Sequence, residues 1–151
     1  MRRIEGFVGG KSAKASSGRE GDVFNPNTGE AQAKVGFSSN ADVDAAVQAA
    51  AKAHVTWSAV NPQRRARVMF EFKRLVEANM NQLADMLSSE HGKVIADSKG
   101  DIQRGLEVIE FACGIPHALK GEYTEGAGPG IDVYSMRQPL GVCAGITPFN
   151  F

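Results

Sequence analysis

Two polar residues of this 151-residue chain stand in settings where they could act on a ligand. Asn150 follows Thr147, Pro148 and Phe149 in a turn-forming run. A fixed amide N–H can stabilise negative charge that develops on a carbonyl oxygen during nucleophilic attack. On the residue pattern alone, however, an Asn after Pro-Phe is first of all a turn residue. The sequence therefore leaves Asn150 open between a catalytic and a structural role.

Arg104 is the second candidate, on a predicted helix. It lies about 200° round the helix from the apolar position Ile102, because successive residues turn by about 100°. Asp101 and Glu107 flank it at three-residue spacing, which is typical of an exposed ladder of ion pairs. A guanidinium also suits a carboxylate ligand, since its planar fork pairs with two oxygens at once. Both interpretations stay open at this point.

Cysteine and histidine usage excludes several other site classes. Cys113 and Cys143 form no CxxC motif and have no histidine at ligand spacing, so the sequence predicts no metal site. Both lie in apolar surroundings, which favours small core residues over reactive thiols. The three histidines, at positions 54, 91 and 117, share no base or ligand spacing, and we predict no catalytic role for them.

Composition and charge narrow the class of protein further. Seventeen basic residues balance seventeen acidic ones, which gives no electrostatic basis for binding nucleic acid or an anionic membrane. The group Arg64, Arg65 and Arg67 fits a solvated helix face. No apolar run approaches the length of a membrane span, and residues 1–6 lack the apolar core of a signal peptide. These features predict a reducing, cytoplasmic setting.

The order of elements predicts an α/β protein in four parts. Residues 1–37 form a β-rich arm, with a hairpin turn at Phe7–Gly10, and residues 38–120 form helices. Helix ends are predicted from a capping box at Ser39 and Asp42, from Asn61-Pro62, and from a glycine cap at Gly92. Residues 121–138 hold a flexible loop, 126–130, and an exposed strand, 131–137. Residues 139–151 contain a strand over Leu140–Ile146, apolar enough to be buried on both faces, and then a turn.

Several motifs occur in the order found in NAD(P)-dependent aldehyde dehydrogenases, and the chain resembles the N-terminal third of that family. Within the family it most resembles the CoA-acylating methylmalonate-semialdehyde dehydrogenases. The stretches that carry the resemblance are Phe24-Asn-Pro-Asn-Thr-Gly-Glu30, Glu90-His-Gly-Lys93, Gly100-Asp-Ile-Gln-Arg-Gly105, Tyr134-Ser-Met-Arg-Gln-Pro-Leu-Gly141 and Pro148-Phe-Asn-Phe151. The resemblance implies an incomplete aldehyde dehydrogenase fold, made of a β-arm, a helical segment, an oligomerisation-type strand and the first strand of a Rossmann-like cofactor domain.

The resemblance also assigns roles to residues. It implies that Asn150 is the oxyanion donor, that Ile146, Thr147 and Phe149 line the NAD cleft, and that Arg104 binds the substrate carboxylate. The expected reaction is oxidation of a semialdehyde such as methylmalonate or malonate semialdehyde, in which a cysteine thiolate forms a thiohemiacetal, hydride passes to NAD and CoA takes the acyl group. Relatives join through the strand near 131–137 into dimers or tetramers.

The same resemblance places the nucleophilic cysteine, the general-base glutamate and the Gly-rich cofactor turn after Asn150. Neither Cys113 nor Cys143 lies in the nucleophile motif, so we expect the chain alone to be inactive. Two other hypotheses remain open. One is a semialdehyde dehydrogenase that uses water in place of CoA, and the other is a non-catalytic chain whose exposed strand edges associate with partners.

Overall fold

The structure is a computed structural model that describes residues 1–148. Its first part is a β-rich arm of five short strands, which confirms the prediction for residues 1–37. The strands are β1 Arg2–Ile4, β2 Gly6–Val8, β3 Lys11–Ala13, β4 Glu20–Phe24 and β5 Ala31–Gly36. β5 is central in a three-stranded sheet, with β1 parallel and β4 antiparallel to it. β2 and β3 form the predicted hairpin, in which Gly9 and Gly10 both take the positive φ that a tight turn of this hand needs.

Five helices follow; the predicted boundaries at Ser39, Asn61 and Gly92 are confirmed, whereas the helix start at Ile95 and the short helix across Pro116 were not predicted. They are α1 Asn40–Ser58, α2 Pro62–Ala78, α3 Met80–His91, α4 Ile95–Cys113 and the short α5 Ile115–Ala118. Asn61 caps α2 by accepting a hydrogen bond from the Gln63 N–H, with Pro62 in the first turn. Gly92 ends α3 in the left-handed conformation, with φ of 87°.

The start of α1 is held by a complete capping box that also captures the β-arm. Ser39 accepts from the Asp42 N–H, and the Asp42 carboxylate accepts from the Ser39 N–H at 2.8 Å. The same carboxylate accepts from the Ser16 N–H at 2.9 Å. These bonds, with that from Ser16 the largest contribution, hold the pKa of the Asp42 carboxyl well below its ordinary value. One carboxylate therefore joins the arm to the first helix.

The core between the helices is small and lined by small side chains. α4 packs against both α2 and α3. The core's buried apolar residues among those described are Ala66, Ala84, Leu106 and Cys113, while Ala33 is buried in the sheet of the β-arm. Cys113 is therefore the core residue that was predicted. Large apolar side chains such as Phe111, which is 79% exposed, remain on the surface of the described part. Within residues 1–148, no helix has the length and apolar content to cross a membrane.

Residues 123–134 form a hairpin, which corrects the prediction of a flexible loop at 126–130. Its strands are β6 Tyr123–Gly128 and β7 Ile131–Tyr134, so the strand predicted over 131–137 is present but ends earlier. Asp132 stabilises the hairpin by accepting from the Tyr123 hydroxyl at 2.8 Å and from the Gly126 N–H at 2.9 Å. A glycine-rich composition is typical of a flexible loop. Here the hydrogen bonds of the Asp132 side chain hold the two strands together instead.

The strand predicted over Leu140–Ile146 is not formed. The described residues offer it no neighbouring strand, and a strand requires backbone hydrogen bonds to another strand. Leu140 is 94% exposed and Ile146 is 100% exposed, although their sequence pattern is that of a buried segment. Cys143 is also exposed, so its predicted core position is wrong in this structure. This segment therefore has the apolar pattern of a buried strand but is exposed in this structure.

The bonds of Asp42 predict how the chain responds to acid. A carboxyl group whose pKa is lowered by folding contributes stability above its unfolded pKa, near 3.9, and this contribution is lost as the pH falls below that value. We expect the unfolding temperature of Asp42→Asn to fall less steeply below about pH 4 than that of the parent chain. Thermal unfolding followed by circular dichroism across this pH range measures the difference. Asp44→Asn is the matched control. An equally small fall of the unfolding temperature below about pH 4 in that variant would contradict the assignment to Asp42.

Candidate functional site

The candidate site is built on a tight reversal of the chain between α3 and α4. Gly92 takes φ of 87°, and a Cβ atom there would lie 2.9 Å from Pro26 Cγ and 3.2 Å from Asn27 Oδ1. The turn of the β-arm at Pro26 therefore leaves no space for a side chain at this position. Next to the reversal, the Ser88 and Ser98 hydroxyl groups hydrogen-bond at 2.7 Å, with Ser98 fully buried. This bond fixes the first turns of α4 against the last turns of α3.

Lys93 follows the reversal and forms a largely buried ion pair with Asp101 of α4. Their side chains are 16% and 13% exposed, which makes this the best shielded ion pair in the part of the chain that the structure describes. Charges withdrawn from water need a partner, since leaving either one alone would be costly. Lys93 therefore holds Asp101 in place, one helical turn before Arg104.

Arg104 lies on the exposed face of α4 and pairs with Glu107. Its Nη1 donates to Glu107 Oε2 at 2.9 Å, and the two side chains are 69% and 51% exposed. The predicted ion-pair ladder is therefore confirmed on the Glu107 side. It is wrong on the Asp101 side, because the buried ammonium of Lys93 is a better partner for that carboxylate than a solvated guanidinium. An exposed pair of this kind is weak, so a ligand carboxylate could displace Glu107.

An open groove of about 360 Å³ lies beside Arg104. Its lining consists of Lys93, Ala96, Asp97, Gly100, Asp101 and Arg104. The groove is thus lined both by the Lys93–Asp101 pair and by Arg104. A small ligand with a carboxylate at one end has both the room and the charge partner that it needs here.

Lys93 is the residue that the sequence analysis missed as part of the site. It lies eight positions before Asp101, outside the three- and four-residue spacings that helices bring together. The glycine cap at Gly92 is the feature that could have revealed it, because a left-handed cap turns the chain back along the helix that it ends.

The segment after β7 carries the predicted cofactor-binding residues. Gly141, Val142 and Cys143 share a shallow cavity of about 300 Å³ with the α1 residues Ala50, Ala53, His54 and Trp57. Beyond them, Ile146 and Thr147 are exposed. Phe149 and Asn150 lie outside the described residues.

Searching residues 1–148 for metal sites finds no group of three or more His, Cys, Asp or Glu side chains able to hold an ion. Two ion pairs instead mark the candidate site, Lys93 with Asp101 and Arg104 with Glu107, and the Asp97 side chain also lines the groove. The chemistry available at the groove is therefore recognition of charge.

Comparison with known proteins identifies the family. The aldehyde dehydrogenase family model matches residues 13–151. The chain belongs to the aldehyde dehydrogenase family. It superposes with a TM-score of 0.96 on a Sinorhizobium meliloti 1021 protein assigned as a methylmalonate-semialdehyde dehydrogenase and crystallised with NAD, at 59% identity over 100% of this chain and 31% of that one.

Curated relatives agree with this assignment. A malonate-semialdehyde dehydrogenase of Pseudomonas aeruginosa is 47% identical over 91% of this chain and 28% of its own length. An acylating, mitochondrial methylmalonate-semialdehyde dehydrogenase of Arabidopsis thaliana is 45% identical over 99% of this chain and 24% of its length. The chain thus spans 24–31% of the length of these three relatives. The match is to their N-terminal part, with the mixed α/β fold that was predicted.

The two ion pairs of the site predict different effects on stability. Asp101→Asn removes the charge of one shielded partner of Lys93 and should lower the free energy of unfolding by about 1–3 kcal/mol. Removing the Glu107 charge breaks an exposed pair, and Glu107→Gln should cost no more than about 0.5 kcal/mol. Urea unfolding of the parent chain and both variants measures the two values. Equal costs would show that the Lys93–Asp101 pair does not hold this part of α4.

Proposed function

We propose that these residues belong to an enzyme that oxidises malonate or methylmalonate semialdehyde to the acyl-CoA, with NAD as the hydride acceptor and CoA as co-substrate. The observation that carries the proposal is the exposed guanidinium of Arg104 beside an open groove, in a displaceable pair with Glu107. Malonate and methylmalonate semialdehydes each bear one carboxylate, which matches a single arginine fork. The names of the relatives support the same class of substrate.

Four residues near the end of the chain complete the proposal. Asn150 would donate its side-chain N–H to the aldehyde oxygen as a thiolate attacks the carbonyl carbon. Thr147 and Ile146, with Phe149, would hold NAD, which supplies the hydride acceptor when it is bound. The exposure of Ile146 and Thr147 supports a contact role, since a fully buried pair could not reach a ligand. The nucleophilic cysteine and the base glutamate would lie in the part of the family's fold that this chain does not span.

The same proposal has consequences for the activity of the chain alone, for subunit assembly and for the cellular setting. The chain alone would be inactive, because Cys113, the thiol of its helical part, is buried in packing contacts rather than placed at the groove. The hairpin β6–β7 would join subunits into dimers or tetramers, which is supported by the exposure of every residue of β7. The two free cysteines support a reducing, cytoplasmic setting.

A non-acylating semialdehyde dehydrogenase is the other candidate within this class. The arrangement at Arg104 would serve it equally well, because carboxylate recognition does not depend on the acyl acceptor. Turnover that continues without CoA would favour this second candidate.

The role of Arg104 can be tested in a chimaera that joins residues 1–151 to the remainder of the S. meliloti protein. We expect Arg104→Leu to raise KM for malonate semialdehyde by about 10- to 100-fold, because a charge-assisted pair with the carboxylate is lost. KM for propanal, which has no carboxylate, should stay within twofold. Steady-state NADH formation measures both. Equal effects on the two substrates would remove the proposed role of Arg104.

The role of Asn150 predicts a loss of rate rather than of binding. In the same chimaera, Asn150→Ala should lower kcat by about 10²–10³-fold for both aldehydes, because one donor to the developing oxyanion is lost. Asn79→Ala is the matched control, since the Asn79 side-chain amide donates to the carbonyl of Leu75 at the end of α2 and takes no part in the proposed site. A kcat for Asn150→Ala close to that of the control would identify Asn150 as a turn residue.

A further inference from the structure

Gly100 is an unusual residue for its place in the fold. It lies inside α4, a helix of nineteen residues, where glycine costs stability because it has more backbone freedom to lose than alanine. A glycine in such a position normally makes room for a close neighbour. Here a Cβ atom at position 100 would meet no atom within 4 Å in the described part of the chain. Packing among the described residues therefore does not account for it.

The position of Gly100 relative to Arg104 gives it a function. The two residues are four apart, so they lie on one face of α4 in successive turns. Both line the groove of about 360 Å³, together with the Lys93–Asp101 pair. A side chain at position 100 would extend into this groove and take up part of its volume.

Lys93 adds to this arrangement by keeping Asp101 away from Arg104. Asp101 is three positions before Arg104 and could otherwise pair with it. Its ion pair with Lys93 engages the carboxylate instead, with both side chains more than four-fifths buried. Among the described residues, Arg104 pairs with Glu107, three positions further along α4. The groove side of the guanidinium stays accessible.

We infer that Gly100 is a specificity-determining residue, whose missing side chain leaves the space beside Arg104 in which the substrate carboxylate lies. This inference rests on the proposed function, because it assumes that Arg104 receives the carboxylate. The helix then gives up stability at this position in exchange for selectivity toward carboxylated aldehydes.

Gly100→Ala in the chimaera tests the inference, because it separates binding from folding. Alanine is the better helix former and meets no atom in the described residues, so the unfolding temperature should stay equal or rise. KM for malonate semialdehyde should rise by about tenfold or more, as expected for one extra methyl group in a fitted site. KM for propanal and kcat for both aldehydes should stay within twofold.

Gly105→Ala is the matched control. Gly105 is in the same helix, and a Cβ there also meets nothing within 4 Å among the described residues. It lies about 100° round the helix from Arg104 and does not line the groove. This variant should leave the ratio of the two KM values unchanged.

The other outcomes overturn the inference in distinguishable ways. A lower unfolding temperature, or failure of Gly100→Ala to fold, would mean that Gly100 makes room for another part of the protein. An unchanged KM ratio in Gly100→Ala, together with a raised ratio in Arg104→Leu, would remove the role of Gly100 and leave the proposed function standing. An unchanged ratio in Arg104→Leu would instead remove the proposed carboxylate site itself.

Discussion

The close approach of the β-arm to the chain reversal at Gly92 is the constraint on which the other features depend. Because Pro26 and Asn27 occupy the space where a side chain would be, only glycine can end α3 here and turn the chain toward α4. The end of α3 is tied to the arm by further bonds, from Arg2 to Glu90 at 2.6 Å and from the Gln32 amide to the Ser89 carbonyl at 3.1 Å. The reversal then sets Lys93 opposite Asp101 and so orients the face of α4 that carries Arg104.

Much of the fold could be predicted because its boundaries are set by local chemistry. The capping box at Ser39, the Asn61-Pro62 start and the Gly92 cap each satisfy backbone groups within a few residues. Predictions failed where the outcome depends on distant partners. The Leu140–Ile146 pattern requires neighbouring strands that the described residues lack. In the β6–β7 hairpin, Asp132 supplies bonds that glycine-rich composition does not reveal.

The candidate site was predictable in part for the same reason. Arg104 and Glu107 meet because they are three residues apart on one helix, a spacing visible in the sequence. The pairing of Asp101 with Lys93 rather than with Arg104 could not be predicted, since it depends on burial and on the path of the chain through Gly92. The family resemblance supplied the proposed roles of Asn150 and Phe149, which lie outside the described residues and which residue patterns alone would have left as turn positions.

The most direct test of the account is a crystal structure of the chimaera with malonate, a stable dicarboxylate that resembles the semialdehyde substrate. The account predicts that one malonate carboxylate lies in the groove beside Gly100 and accepts two N–H bonds from Arg104, at about 2.7–2.9 Å. Glu107 would then have released the guanidinium, while Lys93 keeps its pair with Asp101. Malonate bound elsewhere, with Arg104 still paired to Glu107, would contradict the central claim.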